Sequence, residues 1–294
     1  MTRWLPDALR PWLGAAMLSL SAVWVRLADV EPLRSALLRT AYALPVIAVV
    51  MLLRRERRWI VPGGLLAGAL LGIDFMAWHE SIRLVGAGLG TVLPNLQVVF
   101  VGIAGVLLFG ERPRRAFWIA LPIVMTGVWL LGSVGHPVVA GGSMAWGVVW
   151  GIVTAIAYAG VLVAMRVVRR RIPIDAVSGL WALTLGATLA TLPAAASQGV
   201  AGPAGWPADG WLVALAIGSQ VIGWLLLTSS IHRLPATATS IALLTQPILA
   251  LAWGAMLLGE PLGAPQLAGA AIVLSGVVLA HRGTTTATVT PPAG

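Results

Sequence analysis

Ser81-Ile-Arg-Leu-Val-Gly-Ala-Gly-Leu-Gly-Thr-Val-Leu-Pro-Asn-Leu-Gln97, running on to Leu108-Phe-Gly-Glu111, decides how this chain is read. Moved forward by 149 positions, residues 81–131 fall without a gap on residues 230–280. Ser81-Ile82 meets Ser230-Ile231, Gln97 meets Gln246, and Gly105 meets Gly254. Leu108-Phe-Gly-Glu111 meets Leu257-Leu-Gly-Glu260, and Gly127-Val128 meets Gly276-Val277. A shared apolar bias supplies part of the identity, so the weight rests on the Ser, Gln and Glu matches, which such a bias does not supply.

The rest of the chain is as apolar as the repeat. Hydrophobic residues make up 59% of the 294 and charged residues 10%, and the mean hydropathy is +0.91. Soluble domains carry about 25% charge, so this composition belongs to a membrane protein. Apolar runs long enough for a hydrocarbon core of about 30 Å fall near residues 11–29, 33–53, 61–84, 86–109, 116–135, 144–166, 176–197, 210–231, 236–258 and 264–281. The expected fold is therefore all-α, with ten transmembrane helices. They form two five-helix repeats, over 11–135 and 144–281, around a central cavity, and 283–294 is expected to be a disordered tail. Paired apolar halves of this kind are the sequence form of secondary transporters built from internal repeats.

Net charge of +9 invites a nucleic-acid reading, but the placement of the arginines argues against it. With the N-terminus inside, the inner loops collect Arg54, Arg55, Arg57 and Arg58, then Arg112, Arg114 and Arg115, then Arg169, Arg170 and Arg171. The outer loops keep Arg34 and Arg83. That asymmetry puts both termini in the cytoplasm. Five spans per half is an odd number, so the second repeat is expected to enter from the opposite side, inverted relative to the first. The first apolar run follows Arg3 and Arg10 as a signal peptide would, yet lacks a small-residue cleavage site and reads as a retained span. No cysteine is present, which excludes disulfides and zinc-thiolate sites.

Within the spans, Gly64, Gly68 and Gly72 stand four apart, as do Gly147 and Gly151, and such faces let helices approach closely in lipid. Pro94 and Pro247 each remove a backbone donor within spans four and nine, placed either to kink the helix near mid-membrane along a substrate route or as ordinary tolerated prolines. Intramembrane charges cost about 2.5–3.5 kcal/mol each and need a partner or a wet cavity. Arg26, Arg39, Asp74 and Glu80 are such charges, with Trp78 and His79 beside the last. At about 1.5 Å per residue, Arg39 and Glu80 lie roughly 9 and 6 Å below the outer ends of spans two and three. Arg39 and Arg26 are expected to pair with Asp74 and Glu80, either as structural ion pairs or as a site for a charged solute or a proton. His79-Glu80 opens an HExxH pattern, but the fifth residue is Arg83, so no metal site follows and no cofactor is expected.

Two stripes of spacing four point at a pocket: Gln220, Trp224, Thr228 and His232, and Trp146, Trp150, Thr154 and Tyr158. Asn95, Gln97 and Gln246 are uncharged polar groups expected near mid-membrane. Candidate substrate-binding or coupling residues are therefore Arg39, Asp74, Trp78, His79, Glu80, Asn95, Gln97, Tyr158, Gln220, Trp224 and Gln246. No nucleophile with its base and no paired metal carboxylates stand at sensible spacing, so an enzyme is not expected.

Thr91-Val-Leu-Pro-Asn-Leu-Gln-Val-Val-Phe-Val101 leading to Leu108-Phe-Gly-Glu-Arg-Pro113 resembles the fourth span of EamA-type members of the drug/metabolite transporter superfamily. Ser219-Gln-Val-Ile-Gly-Trp224 resembles their eighth span, and Gln246-Pro247 to Gly259-Glu260 their ninth. The resemblance covers nearly the whole chain as two units. It implies a ten-helix bundle in the bacterial inner membrane that works by alternating access, often exporting amino acids, other metabolites or drugs. Its partners would be a small-molecule substrate and the lipid bilayer, with room for proton coupling through Asp74 or Glu80 and for a homodimer. Glu111 and Glu260 read as helix-end structural residues rather than substrate ligands.

Overall fold

The computed structural model describes residues 9–56, 58–110, 113–134, 142–226 and 236–284. Among these residues every regular element is helical. Helix α1 (Arg10–Ser19) continues after Leu20 into α2 (Ser21–Ala28). Helices α3 (Pro32–Leu53) and α4 (Pro62–Val85) each begin on a proline, whose missing N–H and fixed φ suit the first helical position. Next come α5 (Ala87–Val92), a 3₁₀ turn (Leu93–Leu96), α6 (Gln97–Phe109) and α7 (Arg115–Val134). The second half contains α8 (Met144–Arg171), α9 (Ala176–Ser197), α10 (Ala208–Ala214) with a π-helical continuation (Leu215–Gly223), α11 (Ala236–Leu258) and α12 (Ala264–Thr284). Among the described residues, six helical runs are long and apolar enough to cross a bilayer: Pro32–Leu53, Pro62–Val85, Ala87–Phe109, Met144–Arg171, Ala176–Ser197 and Ala208–Leu226.

The glycine faces make the closest helix crossings. A Cβ at Gly68 of α4 would lie 2.7 Å from the Cα of Gly186 in α9, and one at Gly64 would lie 2.7 Å from the Cβ of Ala182. Gly151 of α8 makes room for Leu93 in the same way. At Gly68 and Gly186 the two backbones meet this closely because neither carries a side chain at the crossing.

Matching positions of the two halves adopt matching structure. Gly110 and Gly259, 149 apart, both take φ +64° at a helix end, the left-handed conformation that glycine enters without a Cβ penalty. Between α7 and α12 the contact is reciprocal. Gly127 abuts Val273, and Gly276 abuts Val124, each residue standing 149 positions from its counterpart. Residue i touching j while the counterpart of j touches the counterpart of i is the mark of a local two-fold axis.

Contacts also sort the turns into two ends. Arg26 and Ala87 both reach Glu260, and Ser81 donates to the carbonyl of Gly147 at 2.8 Å, which gathers the turns at 29–31, 86, 142–143 and 259–263. At the other end, Trp181 Nε1 donates to the carbonyl of Trp59 at 2.8 Å, and Arg166 and Arg170 stack over Phe109. Exposed Arg54, Arg55, Arg58, Arg114, Arg115, Arg169, Arg170 and Arg171 crowd that second end.

Of the two span prolines, Pro94 sits in the 3₁₀ turn that interrupts the run from Ala87 to Phe109. Pro247 lies inside an uninterrupted α11, as Pro45, Pro122 and Pro193 lie inside α3, α7 and α9. The π-helical segment was not foreseen. Its wider turn has no signature in hydrophobic periodicity.

Candidate functional site

A cavity of about 190 Å³ opens between the halves. α3 contributes Arg39; α4 contributes Asp74, Phe75 and Trp78. The 3₁₀ break and its flanks bring Thr91, Pro94, Asn95 and Gln97. Thr154 and Tyr158 come from α8, Trp224 from the end of the π-helical run, and Gln246 from α11.

Arg39 is the centre of this wall. It is 3% exposed, and its guanidinium lies 3.8 Å from the ring centroid of Phe75. Its Nε donates to Oε1 of Gln220 at 3.2 Å, and Nη2 donates to Oγ of Ser219 at 3.2 Å. Gln220 is held from behind, since its Nε2 donates to Oγ1 of Thr184 at 3.1 Å. Among the described residues Nη1 has no hydrogen-bond partner. The guanidinium is thus fixed at Nε and Nη2 and stacked on one face, on a residue that lines the cavity.

Asp74 is 6% exposed on the same cavity wall. It makes no direct ion pair with Arg39, whose bonds go to Gln220 and Ser219 instead. The Asp74 backbone carbonyl accepts from Oγ1 of Thr154 at 3.4 Å, which ties α4 to α8. Gln97 also lines the cavity, and its buried Oε1 has no hydrogen-bond partner among the described residues. Asn95 donates its Nδ2 to the carbonyls of Thr91 and Val92, at 3.0 and 3.1 Å, on its own helical segment. Tyr158 and Trp224 meet edge to face, with ring centroids 6.5 Å apart, and close the aromatic side.

The structure thus brings Arg39, Asp74, Trp78, Asn95, Gln97, Tyr158, Trp224 and Gln246 to one cavity, with Gln220 directly behind Arg39. Two candidates lie elsewhere. His79 is packed against Phe75 and Trp78, with ring centroids at 6.3 and 5.2 Å, outside the cavity lining. Glu80 pairs with Arg83 one turn along its own helix, Nε to Oε2 at 2.9 Å. The expected pairing of Arg26 and Arg39 with Asp74 and Glu80 is corrected accordingly. Arg26 lies instead with Nε 3.9 Å from Oε1 of Glu260. The stripe on α8 divides: Thr154 and Tyr158 line the cavity, whereas Trp146 faces outward. Thr228 and His232 of the other stripe lie outside the described residues, as does Glu111. Among the described residues no cluster of His, Cys, Asp and Glu suits a metal ion.

Ser219, Thr184 and Phe75 complete the Arg39 setting and were missed. Ser219 precedes a candidate and Phe75 follows one, but nothing in their spacing marks Thr184.

The profile of the EamA-like transporter family matches residues 12–133 and again 145–282. An "Uncharacterized transporter in cobO 3'region" from Sinorhizobium sp is 28% identical over 130 residues, covering 40% of this chain and 91% of that protein. An uncharacterized transporter from Archaeoglobus fulgidus is 25% identical over 213 residues, 71% of each chain. A solved crystal structure at 20% identity superposes with a TM-score of 0.61 over 95% of this chain and 97% of its own, which shows a shared fold.

Proposed function

The chain belongs to the EamA-like transporter family, and from that premise we propose that it moves a small organic solute through the Arg39–Asp74 cavity by alternating access. The observation that carries this reading is the cavity itself. It is built from both halves and lined by a guanidinium, a carboxyl group, side-chain amides and an aromatic pair. Few and well-placed polar groups on an aromatic lining are what a site for an amphipathic small molecule requires.

Ten crossings in two units, 11–135 and 144–281, accord with the alternation of turns between two ends. An inverted relation between the units accords with the reciprocal packing of Gly127 and Gly276. The arginine-rich end is cytoplasmic in this reading, by the positive-inside rule, and the direction of transport is export across the bacterial inner membrane. Arg39 and Asp74 lie in one cavity without a direct ion pair, so Arg39 suits an anionic group of the solute and Asp74, when ionised, a cationic one. Asp74 is also the group proposed to carry a coupled proton.

The test expresses the protein and an Asp74→Ala, Trp224→Ala double variant at equal membrane levels and compares the small molecules in medium and cells. A compound enriched in the medium only with the intact protein supports export. Enrichment inside the cells supports import, and no difference in either pool contradicts transport.

A further inference from the structure

Glu260 follows the helix-ending Gly259 of α11, yet it serves a helix in the other half of the chain. Its Oε1 accepts the N–H of Ala87 at 2.6 Å, and its Oε2 accepts the N–H of Gly88 at 3.2 Å. These are the first amides of α5, a helix whose own preceding residue, Gly86, has no side chain to cap it. The carboxylate is 6% exposed and has Arg26 of α2 3.9 Å away.

Two glycines shape its seat. Gly86 takes φ +87°, which turns the chain so that the amides of α5 face the carboxylate, and a Cβ there would lie 2.7 Å from Oε1. A Cβ at Gly254 would lie 2.5 Å from Oε2. Both are places where only glycine leaves room.

Helix α5 is also a separable piece of the wall. Gly86 bounds it on one side and the 3₁₀ turn Leu93–Leu96 on the other, and mid-helix 3₁₀ turns are common hinge positions. Thr91, Pro94 and Asn95, in and just beyond α5, line the cavity. Its packing is smooth: Gly88 lies against Leu251 of α11 and Gly90 against Ile82 of α4. Among the described residues, Glu260 supplies the charge-assisted bonds that tie this hinged segment to the second half.

We propose that Glu260 is a latch that holds the Gly86 end of the cavity shut, so that access from that end requires its carboxylate to leave the amides of Ala87 and Gly88. This rests on the alternating-access reading above. The repeat register places Glu111, Ala236 and Thr237 at the positions equivalent to Glu260, Ala87 and Gly88, but the proposal stands on Glu260 alone.

The absence of cysteine permits a direct test. Thr91→Cys places a single thiol in the cavity near the latch, and Leu162→Cys places one farther along the lining, on α8. Labelling by a membrane-impermeant thiol reagent is timed in intact cells and in inverted vesicles. The backgrounds are wild type, Glu260→Gln, which keeps the shape, and Gly86→Ala, which keeps Glu260 but fills its seat. From the side nearer Gly86, labelling at position 91 is expected to rise about tenfold or more in both variants, as for loss of a charge-assisted hydrogen bond. Labelling at position 162 should not rise. Unchanged labelling at 91 in both variants overturns the latch, and so does an equal rise at both positions, which would mean general loosening. Because no substrate enters this assay, the latch can hold even where the transport comparison fails, and the reverse.

Discussion

Arg39 Nε and Gln220 Oε1 stand 3.2 Å apart across 181 residues of sequence, joining a helix of the first half to the π-helical run of the second. The bond fixes the direction of a buried guanidinium. Ser219 holds Nη2 and the Phe75 ring lies beneath, while among the described residues buried Nη1 has no hydrogen-bond partner. A cation that is buried, oriented and incompletely bonded is costly to maintain in an apolar bundle, which is the physical case for a role in binding.

Arg39→Lys should therefore fail as a conservative change. An ammonium on a flexible stem cannot hold Gln220 and Ser219 while presenting a donor to the cavity, and it does not stack on Phe75 as a guanidinium does. Affinity for the solute is expected to fall by about tenfold or more, with normal membrane insertion. Transport kinetics at matched expression check this, and an unchanged KM would remove Arg39 from the site.

Gln220→Leu should act on folding as well as on binding. It strips buried Arg39 Nε and Thr184 Oγ1 of their partner, and stranded buried polar groups cost about 1–3 kcal/mol each. Thermal stability in detergent should fall, and Thr184→Val in the same background should recover part of the loss. If the second change adds its full cost instead, the network described here is not the one that matters.

Asp74→Asn keeps the shape of the cavity and removes a titratable group. If Asp74 carries the coupled proton, the variant loses the pH dependence of transport in liposomes. Retained pH dependence would assign the proton elsewhere.

Gly68→Val places a branched side chain where Gly186 Cα now sits 2.7 Å from a Cβ position. The α4–α9 crossing cannot close around it, and overpacking of this kind costs about 1–3 kcal/mol or more. Reduced membrane accumulation and a lower melting temperature are expected. Gly110→Ala, where nothing lies within 4 Å, pays only for its φ of +64° and should be milder.

Asp175 gives a pH prediction outside the spans. Burial pushes its pKa up, but hydrogen bonds from Ser178 and Val177 at the start of α9 outweigh this and hold it below the ordinary value. A depressed carboxylate pKa contributes stability above the unfolded-state pKa, and that stability is lost as pH falls through the folded value. Asp175→Ala should therefore cost about 1 kcal/mol at neutral pH, a usual value for an N-cap. In acid the difference from the unaltered protein should vanish, as thermal melts at two pH values will show.

Helical class and the repeat were legible because both are written in periodicity and in a fixed offset. Asp74 and Arg39 stood out because a charge in an apolar run is conspicuous, and Tyr158 and Trp224 because spacing of four keeps residues on one face. Pairing was harder to read. Which helix faces which is set by rotation about each axis, so Arg26 was assigned to the wrong carboxylate when its neighbour was Glu260 from the far end of the chain. Glu80 was a different kind of miss: its partner, Arg83, lies three residues on, a spacing known to bring helix neighbours together. Thr184 and the π-helical run left no signal, since one is an ordinary threonine in an apolar helix and the other a backbone choice made by packing.

The most direct test of the central claim is an untargeted comparison of solutes in medium and cells between the protein and its Arg39→Lys and Asp74→Asn variants, at equal membrane levels. The account predicts at least one charged, amphipathic solute whose distribution across the membrane shifts with the intact protein and not with either variant. Identical pools in all three would contradict transport through the Arg39–Asp74 cavity.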